Sequence, residues 1–84
     1  MISWRHLNNL PLEKKISMVY EHAAFVMAIR YYNYKINLYL LGHDYIEVFV
    51  NHKYASIDRI TLLDPHHSRM KFYSDQIKIA LPVK

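Results

Sequence analysis

Histidine, serine, tyrosine and the carboxylates are the side chains here that could move protons, attack an electrophile or hold a metal, and their spacing argues against most of that chemistry. His66-His67 beside Asp64 is the densest group. Adjacent residues on a helix point about 100° apart, whereas two ligands on one helix sit three or four positions apart. His43-Asp44 falls on an expected hairpin tip, and His6, His22 and His52 have no partner at ligand spacing, so no metal is expected. None of Ser3, Ser17, Ser56, Ser68 and Ser74 lies in a Gly-x-Ser-x-Gly elbow that would expose a strained nucleophile. A single glycine leaves no loop in which backbone could cradle phosphates, so nucleotide hydrolysis and dinucleotide cofactors are not expected. Absence of cysteine removes disulfides, thiolate zinc sites and cysteine nucleophiles together. Glu47 and Asp58 fall on neighbouring strands and could approach as an acid/base pair, but a solvated face shared with Lys35 and Arg59 explains them more simply. The chain reads as non-enzymatic and without cofactors.

With 84 residues the chain is about half of the ~150 that serve as a soft domain unit, which predicts one domain over residues 1–84 with a radius of gyration of about 12 Å. Apolar residues make up 52% and charged residues 21%, a balance that folds rather than stays disordered. Net charge is +4, which permits attraction to phosphates or acidic proteins. Nucleic-acid binders usually concentrate their basic residues, however, and Lys14-Lys15 is the longest basic run. The N-terminus shows no basic segment followed by an apolar stretch. The longest apolar run, Ala23 to Ile29, falls far short of the roughly 18 residues that span a bilayer. No membrane association is expected, and the default compartment is the cytoplasm.

The elements that would position these side chains follow from periodicity. Leu12, Ile16, Val19, Ala23, Val26 and Met27 keep three-and-four spacing after Pro11, which predicts one long helix from Pro11 to Arg30. Its second half is apolar all round, so it needs cover on more than one side. Trp4 and Leu7, the C-terminal tail or a second copy of the chain could supply that cover. From Tyr34 the period becomes two, and Tyr34 to Leu41 and Tyr45 to Asn51 flank Gly42 as a hairpin. A three-residue loop pairs Leu40 with Ile46, Leu38 with Val48 and Ile36 with Val50, giving one aliphatic face for the helix. A two-residue loop would mix polar and apolar residues on both faces, so the three-residue loop is preferred. Ser56 to Leu63 reads as a third strand with a bulge near Asp58. Asp64-Pro65 then resembles a helix start before Met70, Tyr73 and Ile77. The competing reading makes Met70 to Tyr73 and Ile77 to Leu81 further strands. The predicted fold is thus α+β: a long N-terminal helix on a three-stranded antiparallel meander, with a short C-terminal helix or a fourth strand.

Given that phasing, the second sheet face would display Lys35, Tyr39, Tyr45, Glu47 and Phe49, joined by Arg59. Three readings compete for it. The C-terminal segment could fold back as a lid through Met70, Phe72, Tyr73 and Ile77. A partner could cover it, most simply another copy, because Tyr, Phe and Arg are enriched in interface cores. Single-stranded nucleic acid could stack on Tyr39, Tyr45 or Phe49 with Lys35 and Arg59 on its phosphates, although Glu47 would repel the backbone. The stretch Asn37 to Asn51, preceded by Leu10-Pro11-Leu12-Glu13-Lys14-Lys15, resembles short uncharacterised bacterial proteins built as one N-terminal helix followed by a small antiparallel meander. That resemblance implies a fold and no activity. The sequence points to a protein-interaction domain, expected as a homodimer, with Tyr39, Tyr45, Phe49, Lys35, Arg59, Phe25 and Ile29 as its interaction residues; the alternative is a basic nucleic-acid-binding module.

Overall fold

The computed structural model describes residues 2–76. The elements run α1 (Trp4–Leu7), α2 (Leu12–His22), β1 (Ala24–Tyr31), β2 (Tyr34–Leu41), β3 (Asp44–Asn51), β4 (Ile57–Leu62) and α3 (Met70–Gln76). The four strands form one antiparallel sheet in the order β1-β2-β3-β4. The radius of gyration of the chain is 12.3 Å.

The first correction concerns the long helix. Leu12, Ile16 and Val19 do lie on one helical face, but α2 has 11 residues and stops at His22, where Ala23 is already extended at φ −102° and ψ 156°. Residues Ala24 to Tyr31 form strand β1. Phe25, Val26 and Ile29 are aromatic or β-branched, types that favour a pleated surface, and an apolar run of this length fits a buried helix turn and a strand equally well by periodicity. The meander therefore has four strands, not three. Pairing β1 with β2 gives its backbone a ladder, from Ala24 opposite Leu40 to Tyr31 opposite Tyr34, with a bulge between Phe25 and Met27.

The second correction concerns register. Leu41 pairs with Asp44, Leu38 with Glu47 and Asn37 with Val48, which leaves Gly42 and His43 as a two-residue turn. Gly42 has φ 61°, as the first central position of a tight hairpin turn requires. Ile36, Leu38 and Leu40 consequently face one side of the sheet, and Ile46, Val48 and Val50 face the other. The six aliphatics do not share a face.

Both faces are covered. On the front, Leu7 of α1 and Val19 of α2 are buried against Leu41, Ile46, Val48 and Ile60, with Trp4, Leu12 and Ile16 packed around them. The N-terminal arm is tied to the sheet where the Trp4 N–H donates to Asp44 Oδ2 at 2.9 Å. On the back, Leu63, Met70 and Tyr73 pack on Met27, Ile29, Ile36, Leu38 and Phe49. Each fully buried aliphatic or Phe side chain contributes about 1.5–3 kcal/mol. A two-sided sheet removes the need for a clean polar face, and that is why a register mixing polar and apolar residues is tolerated.

The bulge expected at Asp58 is present, since Phe49 pairs with Arg59 while Val50 pairs with Ile57. The short C-terminal helix is present as α3 and excludes a strand over Met70 to Tyr73. It starts well beyond Asp64-Pro65, which instead make a turn in which Asp64 Oδ1 accepts the His66 N–H at 2.9 Å. The alternating segment Ile77 to Leu81 lies outside the described residues. Among the described residues no helix is long and apolar enough to cross a membrane.

Candidate functional site

The register divides the seven sequence-selected residues between two faces. On the front, Tyr39 lies beside Phe25 of β1 and Tyr20 of α2, with ring centroids 5.6 and 5.8 Å away. Lys35 is exposed on the same face, directly opposite Arg30. On the back, Phe49 is fully buried, Arg59 stacks on its ring at 4.1 Å, and Tyr45 and Ile29 join the core beneath α3. A single aromatic face carrying all of them does not exist. Nucleic acid cannot stack on Tyr39, Tyr45 and Phe49 together, because Phe49 has no exposed ring and Tyr39 and Tyr45 point to opposite sides.

The lid reading fits the back face. Its polar centre is Glu47, fully buried and expected from the sequence to be solvated. Arg69 meets it with two hydrogen bonds, Nη2 to Oε1 at 2.7 Å and Nε to Oε2 at 2.9 Å, and the Tyr73 hydroxyl donates to Oε2 at 2.9 Å. The Glu47 hydrogen bonds raise the Arg69 pKa above its ordinary value, keeping the guanidinium charged. Burial, reinforced by the Glu47 charge, pushes the Tyr73 phenol well above its usual value. The Arg69–Glu47 ion pair and the protonated Tyr73 phenol form one hydrogen-bonded cluster, joined by His67, whose Nε2 lies 3.1 Å from Arg69 Nη1. It is a clamp that fastens the 63–76 segment over the sheet. Sequence reading missed Arg69 because its partner lies 22 residues away. The available signal was Glu47 in the middle of an otherwise apolar strand, which demands a cation if buried.

With α1 and α2 over much of the front and the 63–76 segment on the back, the sheet meets solvent along its edges and at the Arg30–Lys35 end of its front face. Edge strand β4 carries Asp58 and Arg59, both exposed, and a bulge at Asp58, all features that discourage another strand from pairing. Edge strand β1 reads Ala-Phe-Val-Met-Ala-Ile-Arg-Tyr, with one charge and no proline. Among the described residues its only strand neighbour is β2. Beside it on the front face, Phe25 is 57% exposed and Tyr20 53% exposed, forming an aromatic shelf with the half-buried Tyr39. Burial, and then the neighbouring Tyr20, raises the Tyr39 pKa. The apolar stretch read as half a helix and the open sheet edge are thus the same element.

Among the described residues no group of three or more His, Asp and Glu side chains is placed to hold a metal ion. Comparison with known proteins finds no matching family, no similar curated protein and no similar solved structure.

Proposed function

We propose that this chain is a small non-enzymatic protein-interaction domain that self-associates by pairing the β1 edges of two copies into one continuous sheet. The observation that carries this reading is the contrast in charge between two edges that are both bulged: β4 sets the adjacent charges Asp58 and Arg59 in its six residues, whereas β1 offers eight residues with Arg30 as its one charge. Antiparallel pairing about a two-fold axis at Ala28 would set Met27 of each copy opposite Ile29 of the other and extend the buried back face across the interface. The Tyr20, Phe25 and Tyr39 shelf would close over the front of the joint, with residue types that dominate interface cores.

Sedimentation of the full chain at tens of micromolar, on the order typical of modest homodimers, tests it. The wild type is expected to sediment as a dimer, and Phe25→Lys as a folded monomer with an unchanged circular dichroism spectrum. Phe25 is largely exposed, so its replacement spares the core. A monomeric wild type, or a dimer indifferent to Phe25→Lys, would overturn the reading.

A further inference from the structure

The end of the sheet where the β1–β2 and β3–β4 turns meet exposes the side chains of Arg30, Tyr32 and Lys53. It forms a solvent-open cavity of about 550 Å³ lined by Arg30, Tyr32, His52, Lys53 and Tyr54 among others, with no carboxylate among its described lining residues. That volume lies within the roughly 300–1,000 Å³ range of small-ligand sites. The walls are fixed to each other, because the His52 N–H donates to the Asn33 carbonyl at 2.8 Å. The β3–β4 turn is itself locked by Asn51, whose Oδ1 accepts the N–H groups of Lys53 and Tyr54 at 2.9 and 3.1 Å.

Two features of this corner oppose stability. Arg30 sits directly across from Lys35, a like-charge cross-strand pair. Among the described residues none of Arg30, Lys35 and Lys53 has a carboxylate partner. Tyr32 occupies the first central position of a two-residue turn at φ 56°, a left-handed conformation that favours glycine and that a bulky side chain adopts at a penalty of about 1–2 kcal/mol. Tyr32 is 85% exposed, and its ring meets that of Tyr31 edge-on at 4.7 Å. The left-handed Tyr32 and the uncompensated charges of Arg30 and Lys53 border the same cavity, and such strain is often kept where it serves a ligand.

We propose that this corner binds a nucleotide, with Arg30 and Lys53 taking the phosphate and Tyr32 stacking the base. Tyr54, 69% exposed with Lys53 Nζ 5.3 Å from its ring centre, holds that ammonium at the rim of the cavity. A phosphate relieves the repulsion between Arg30 and Lys35, and a base uses the aromatic surface that the strained turn displays. The ligand can be a free mononucleotide or one unit of a single strand, since both offer a phosphate beside a planar ring.

Amide-resolved NMR titration of the full chain with uridine monophosphate, with a single-stranded oligouridylate of about eight nucleotides and with inorganic phosphate tests the proposal. Shifts are expected at residues 30–33 and 51–55 with both nucleotide probes, and phosphate alone should bind more weakly. Tighter binding of the oligonucleotide identifies a strand as the ligand, and equal binding identifies the mononucleotide. Tyr32→Gly relieves the turn and so keeps the fold, yet should weaken nucleotide binding about tenfold, the scale of one lost stacking contact. Arg30→Gln with Lys53→Gln should abolish it. Absence of saturable shifts at this corner, phosphate binding as tightly as the nucleotide, or unchanged affinity in Tyr32→Gly would overturn the proposal.

Discussion

Glu47 lies fully buried in the middle of β3, between Ile46 and Val48. A carboxylate with no exposed surface requires a fully satisfied partner, and Arg69 provides one in the two-pronged geometry that suits guanidinium and carboxylate. Replacing one member of such a pair leaves a buried charge with nothing to balance it, at a typical loss of about 3–5 kcal/mol. Arg69→Met should therefore destabilise the chain by about that much in urea unfolding. The triple variant Glu47→Met, Arg69→Met, Tyr73→Phe should recover most of the loss, because an apolar replacement of the whole group demands no charge compensation. Equal stability of Arg69→Met and wild type would mean that the clamp does not hold the 63–76 segment down. Sequence reading saw the polar residue and not its partner: the strand pattern places Glu47, but nothing local to Arg69 shows where its side chain travels.

Among the elements, the hairpin and the bulge at Asp58 were legible because turn chemistry and alternation are local signals. The helix boundary was not. Ala23 to Ile29 keeps helical spacing by accident of composition, and the choice of strand is made by β2, whose open side offers that stretch a hydrogen-bonded ladder. The register failed for a related reason. Alternation fixes register when one face is wet, and here α1 and α2 cover the front while α3 covers the back, so the tight turn at Gly42 decides instead. The β3–β4 connection shows the same local logic at Ala55, which sits at φ 56° as its N–H closes on the Asn51 carbonyl at 2.7 Å. Glycine fits that conformation without a Cβ clash, so Ala55→Gly should stabilise the chain by about 0.5–1 kcal/mol after its own entropy loss. A destabilised variant in thermal melting would show that Ala55 is not held in the left-handed region.

For the molecule as a whole, size followed from length and the α+β class from periodicity, and the radius of gyration of 12.3 Å meets the expectation of about 12 Å. Which surface remains open did not follow, because it depends on two covering layers whose contacts are non-local. With helices packed on both faces of the sheet, Ala24 to Tyr31 forms its less charged open edge. Hydrogen exchange of the β1 backbone amides, compared at low and high protein concentration, reads that edge most directly. Amides bonded to β2 should be protected at both concentrations. Those pointing away from β2 should become protected only as concentration rises, and Phe25→Lys should abolish that change. Outward amides exchanging at one rate at every concentration would contradict the pairing of two copies through this strand.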